Sequence, residues 1–144
     1  MSVDTSLQLA LAGEHAAIYG YGVVGARLAS AEQTRARNGL NAHRSARDQI
    51  ERLILAAGGA PVASEASYVV AVDGVTQRQL RAILTSIEDR LCDLYAALTL
   101  ERDESARAFG IAQMQATAVR ATQWRGSAEA FPGLQSVPDA ATSN

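Results

Sequence analysis

The chain contains no lysine: all 13 of its positive residues are arginine. That excludes Schiff-base chemistry and a phosphate-loop lysine. A single cysteine, Cys92, cannot close an internal disulfide, and two histidines are too few for a histidine-rich metal cage. No uninterrupted apolar run approaches the ~18 residues of a membrane-spanning helix. The N-terminal stretch meets Glu14 and His15 too early to read as a signal peptide or membrane anchor. An excess of one charge is missing too, since the formal net charge is -2 and the arginines are spread along the chain. No basic stripe therefore marks a nucleic-acid partner. The expectation is a cytoplasmic, reduced protein with neither nucleic acid nor membrane among its partners.

What is present is helical period. With 144 residues and 48% hydrophobic residues, the chain suits one domain with a proper core. Leu7, Leu11, Glu14, Ile18, Tyr21, Gly25 and Leu28 recur in steps of four and three, one face of a helix with a carboxylate in its middle. Thr5-x-x-Gln8 has the form of a capping box, so helix one is expected from Thr5 to about Ala29. Gly20, Gly22 and Gly25 inside it suit close approach by a helix of the same bundle or of a second copy in a homodimer. Ser30-x-x-Gln33 repeats the box and opens helix two, which ends at Gly58-Gly59 before Pro61. Its stripe reads Leu40, His43, Arg47, Ile50, Ile54, Ala57, and Asn38-Gly39 is a point where it could kink.

From Gly58 to Val75 the helical period disappears. Tyr68, Val69, Val70 and Val72 look like a strand, but one without a partner, so an extended segment laid along the bundle is expected. Roughly 16 extended residues span about 50 Å, and a helix of roughly 26 residues is about 39 Å long. The connection can therefore return along the whole bundle and leave helices two and three parallel, the single-crossover topology of ferritin-like folds. Thr76-x-x-Gln79 opens helix three, with Leu80, Leu84, Ile87, Leu91, Leu94 and Leu98 as its stripe and Glu88 and Tyr95 on the stripe's edge. Asp103 is the expected N-cap of helix four, which continues through Phe109, Ala112, Ala116 and Val119 to about Trp124 or Arg125, with Gly126 at its end. Residues 1–135 are read as the bundle, with Phe131 and Leu134 docking on it, and 136–144 as a flexible tail.

Hairpin geometry sets Glu14 and Glu88 at mid-bundle, with His43, Arg47 and Gln115 at a similar height. Carboxylates from two helices at that level are half of a di-iron carboxylate layout, which also wants a Glu-x-x-His from each of the other two helices. Helix two offers Arg44-x-x-Arg47 instead, and helix four offers Gln113, Gln115 and Thr117. Arginine repels a cation and can neutralise a carboxylate directly. The residues thus point to a buried polar layer of Glu14, His43, Arg47, Glu88 and Gln115, with no metal or other cofactor. The alternative is an iron or manganese site on Glu14, His43 and Glu88, with Asp48 as a further candidate. Tyr19, Tyr21 and Tyr95 read as packing residues with satisfied hydroxyls, Cys92 as an inert thiol, and His15 as facing a neighbouring helix or a partner.

The run Leu11-Ala-Gly-Glu14-His15-Ala-Ala-Ile-Tyr19-Gly-Tyr21-Gly-Val-Val-Gly25-Ala-Arg27-Leu28 is its most specific stretch. With His43-Arg44-x-x-Arg47-Asp48, Glu88 with Tyr95, Ala118-Val-Arg120-x-x-x-Trp124-Arg125-Gly126 and Ala130-Phe-Pro-Gly-Leu134, it resembles an uncharacterised bacterial ferritin-like domain family over about residues 5–135. The resemblance implies an all-α, ferritin-like four-helix bundle and carries over no catalytic residue. At both Glu-x-x-His positions the chain departs from the iron-binding members of the wider superfamily. The function expected is a binding or structural module without a complete di-iron site; the alternative is a metal-dependent (iron or manganese) oxidoreductase or metal-binding protein with an atypical ligand set.

Overall fold

The computed structural model describes residues 2–126, which form an all-α four-helix bundle: α1 Val3–Gly25, α2 Ser30–Ala56, α3 Gln77–Leu98 and α4 Glu104–Arg125. The expectations for Phe131, Leu134 and the tail 136–144 lie outside the described residues. None of the helices is long and apolar enough to cross a membrane.

Helix ends follow local chemistry, with two corrections. The Thr76–Gln79 capping box forms in both directions, with Gln79 N donating to Thr76 Oγ1 at 3.2 Å and Thr76 N to Gln79 Oε1 at 2.8 Å. Asp103 caps α4 by accepting from Ala106 N at 2.8 Å, and Gly126 ends it in the left-handed region at φ 83°. The two boxes expected at Thr5 and Ser30 do not form. Ser2 caps α1 instead, and α2 starts without a side-chain cap.

The glutamines of those two boxes are used elsewhere. Gln8 donates to Ala60 O and accepts from Val62 N, both at 2.8 Å, pinning the segment after α2 to the start of α1. Gln33 Nε2 donates to Leu28 O at 3.0 Å, across the α1–α2 turn. At the other end of α1, Gln77 accepts from Ala29 N at 2.8 Å and donates to Arg27 O at 2.9 Å. A side-chain amide has the same donor–acceptor pair as the backbone, so each of Gln8 and Gln77 replaces two backbone bonds that a turn cannot make for itself.

Between these anchors the connection 57–76 meets α1 again where Tyr68 packs on Tyr19, ring centroids 5.4 Å apart. Both α2 and α3 therefore begin beside the C-terminal end of α1. No strand forms among the described residues, yet Tyr68, Val70 and Val72 turn toward the bundle while Val69, Ala71 and Asp73 are exposed. This period of two is that of a strand lying on helices rather than on another strand.

The helices pack in the cyclic order α1, α2, α4, α3, with α1 against α2 and α3, and α4 against α3 and α2. Two apolar clusters fill the bundle. One contains Leu7, Leu11, Ile50, Ile54, Leu91 and Leu98, and the other Val24, Leu28, Leu80, Leu84 and Trp124. The stripes of α1 and α3 face the bundle, although Ile18, Gly25, Ile87 and Leu94 are only half-buried and Ala17, Val24, Glu88 and Tyr95 lie deeper; two others are out of phase. On α2, Gly39 and Ala46 are buried rather than Leu40 and Arg47, and the helix runs unbroken through Asn38-Gly39. On α4 the buried face is Ala106, Gly110, Thr117, Ala121 and Trp124, while Val119 is 56% exposed. Helix four is rich in alanine, which marks no face, so close contact decides: a Cβ on Gly110 would lie 2.6 Å from the Leu98 Cβ.

Candidate functional site: a buried polar layer

Each apolar stripe of α1, α2 and α3 carries one polar residue at mid-bundle, and these meet. Glu14, His43 and Glu88 are all 0% exposed. His43 spans the two carboxylates, with Nδ1 2.8 Å from Glu14 Oε2 and Nε2 3.0 Å from Glu88 Oε1. Tyr95 donates to Glu14 Oε1, and Tyr21 donates to Glu88 Oε1. Helix four contributes Arg120, whose Nε donates to Glu88 Oε1 at 3.0 Å, and Trp124, whose indole N–H donates to the Tyr21 hydroxyl at 2.8 Å. All four helices thus supply the layer.

Charge explains the arrangement. An imidazole bonded to a carboxylate at both nitrogens has a proton on each, which is the imidazolium form. Burial by itself pushes His43 down, but the hydrogen bonds and charges of Glu14 and Glu88 outweigh it and hold the ring up at about 9. Burial pushes Glu88 up, and His43, Arg120 and the Tyr21 hydroxyl more than reverse that, leaving it below its usual range. Burial, then the adjacent carboxylates, raise both Tyr21 and Tyr95, so their hydroxyls stay protonated donors. Two carboxylates, one imidazolium and one guanidinium sum to zero. A buried charge is tolerable when it is paired and hydrogen-bonded, and this set is both.

The five residues expected in the layer divide. Glu14, His43 and Glu88 come together; Arg47 and Gln115 do not. Arg47 sits outside and pairs with its neighbour Asp48 at 2.7 Å, at the rim of a surface cavity that it shares with His15, Tyr19 and Glu51. Gln115 is exposed. The guanidinium position belongs to Arg120, and Tyr21, Tyr95 and Trp124 complete the set. Arg120 and Trp124 lie four residues apart on one face of α4, the spacing that would have pointed to them. His15 faces the connection, with Nε2 3.0 Å from Val62 O, and Tyr19 packs on Tyr68 away from the layer. Cys92 is buried, which raises its thiol, and Sγ lies 3.6 Å from Met114 O.

A metal ion needs lone pairs that converge on one point. In this layer both nitrogens of His43 and both oxygens of Glu14 already hold hydrogen bonds, and only Glu88 Oε2 is buried without a hydrogen-bond partner among the described residues. Among those residues no group of three or more His, Cys, Asp or Glu side chains is arranged to hold a metal. As arranged, the donor set does not fit an ion.

A second feature lies outside the layer. A cavity of about 470 Å³ opens between the small residues of α1 (Gly13, Ala16, Ala17, Gly20), the side of α3 from Ile83 to Leu91, and the extended segment 68–71.

A family model described as a domain of unknown function (DUF4439) matches residues 6–136. The fold is similar to the crystal structure of a conserved hypothetical protein, rv2844, from Mycobacterium tuberculosis, with a TM-score of 0.81 and 26% sequence identity over 86% of this chain and 96% of that one. Among curated proteins none matches.

Proposed function

The chain belongs to the family described as a domain of unknown function (DUF4439), and on that premise we propose that it is a ferritin-like module that binds or supports rather than catalyses. In this reading it has no complete di-iron centre, and the single-crossover bundle is a frame. The observation that carries it is His43, held by a carboxylate on each nitrogen while Arg120 neutralises the second acid. A charge-neutral layer in which every buried polar atom but Glu88 Oε2 is hydrogen-bonded fixes helix register and leaves a substrate few lone pairs to meet. The cavity beside segment 68–71 is a part of the frame with room for a ligand, since its volume lies in the range of small-molecule sites. We further propose a cytoplasmic homodimer with no metal or organic cofactor and no nucleic-acid or membrane partner.

The test is elemental analysis of protein purified without chelator, repeated after anaerobic addition of ferrous iron, with Glu14→Gln as control. The expected result is no stoichiometric iron or manganese in either preparation. Stoichiometric metal that disappears in the control would overturn the proposal. It would instead favour a metal-dependent oxidoreductase or metal-binding protein with Glu14, His43 and Glu88 as ligands.

A further inference from the structure

The cavity between α1, α3 and segment 68–71 has a chemistry of its own. Its α1 wall is made of glycine and alanine alone, and apolar residues including Ile83, Ile87, Leu91 and Val70 line most of the rest. One charged residue lines it, Arg90, and no acid does. Arg90 is exposed and makes no ion pair among the described residues. From Ile83 to Arg90 along α3 is about 10 Å at the helical rise of 1.5 Å per residue, so the cavity is an apolar trough with a guanidinium toward one end. The cover is held independently of any occupant, by the Tyr19–Tyr68 ring contact and by the bonds of Gln8 and Gln77 at either side of the connection. An apolar body and one anionic end are the complement of such a site.

We propose that this cavity binds a small amphipathic anion, a monocarboxylate with an aliphatic chain, whose chain lies against Ala16, Gly20 and Ile87 and whose carboxylate pairs with Arg90. The inference rests on the binding-module reading above. Gly13 and Gly20 let α3 close on the trough's floor, since a Cβ at either would run into Leu91 and Leu94 or into Ile87.

Calorimetric titration of the full chain with decanoate tests it, with decanol and decyltrimethylammonium as neutral and cationic counterparts. Decanoate should saturate a single site, and decanol should bind at least tenfold more weakly. Arg90→Gln, at an exposed position that leaves the fold intact, should weaken decanoate about tenfold, the loss of one charge-assisted bond. Ala16→Trp and Ser86→Trp fill the cavity from opposite walls, and either one, where circular dichroism shows the native helix content, should abolish binding. Decanol binding as tightly as decanoate, or no effect of Arg90→Gln, would overturn the anionic class and leave the cavity as a binding site. If no probe saturates, or both tryptophan variants bind decanoate unchanged, the cavity is not a site for such an anion and this inference falls, while the metal analysis still decides the reading of the polar layer.

Discussion

At the residue scale the protein turns on which arginine enters the bundle. The sequence offered Arg47 as the buried guanidinium, yet it is Arg120 that reaches Glu88, while Arg47 pairs with Asp48. Removing one partner of a buried pair strands the other's charge, whereas an exposed pair such as Arg47–Asp48 contributes ~0–1 kcal/mol. Arg120→Met is therefore expected to lower the unfolding free energy by roughly 3 kcal/mol and Arg47→Met by under ~1 kcal/mol, read by urea denaturation; equal effects would contradict the assignment. The sequence made Glu14, His43 and Glu88 visible, because a charge inside an apolar stripe breaks a pattern. It did not single out Arg120, since its own helix has no strong stripe to break: Ala112, Ala116 and Val119 form as plausible a face as Thr117, Ala121 and Trp124.

At the scale of the helix, the glycines separate into those that accept a neighbour and those that do not. Gly39 reads in the sequence as a kink, yet α2 is continuous there because the missing side chain makes room for the Tyr21 ring; a Cβ would meet Tyr21 Cζ at 3.0 Å and overlap Cε1. That ring is fixed at its hydroxyl by Glu88 and Trp124, so it cannot simply swing away. Gly39→Ala gains about 1 kcal/mol of helix propensity and loses more by displacing the ring, for a net destabilisation of roughly 1–2 kcal/mol in a thermal or urea unfolding experiment. Gly22 is the opposite case, exposed with nothing within 4 Å of a Cβ. Gly22→Leu should leave unfolding unchanged and, if the homodimer forms through this face, should shift the sedimentation coefficient to that of a monomer; an unshifted dimer would remove the face from consideration. Neither outcome was legible from spacing, because a glycine in a helix looks the same whether a ring, a second chain or water lies above it.

For the whole molecule, the layer joins all four helices through a set of charges that sums to zero, and its protonation state is shared among them. The signs are opposite at the two ends of the pH scale. His43 is raised, so its contribution is complete below the ordinary histidine value of 6.5 and is lost as pH rises through about 9. A shift of that size corresponds to something on the order of 3 kcal/mol. Glu88 is lowered, so its contribution is present above the ordinary carboxylate range and disappears as pH falls through its depressed value. The bundle should be most stable between these limits. The four-helix architecture itself was legible, since length, stripes and the two caps at Thr76 and Asp103 agree with one another, whereas the roles of Gln8 and Gln77 depend on chain ends that meet only in the folded protein.

The central claim is that the buried imidazole is an imidazolium bridging two carboxylates. Nitrogen-15 NMR of the histidine rings across the pH range tests it most directly, with His43→Gln to assign the signals. The account predicts that at pH 7 both ring nitrogens of His43 have protons and that they titrate near pH 9, as the raised value of about 9 requires. A neutral ring at pH 7, with one bare nitrogen and a midpoint at or below the ordinary 6.5, would contradict it and return that lone pair to the reckoning as a metal ligand.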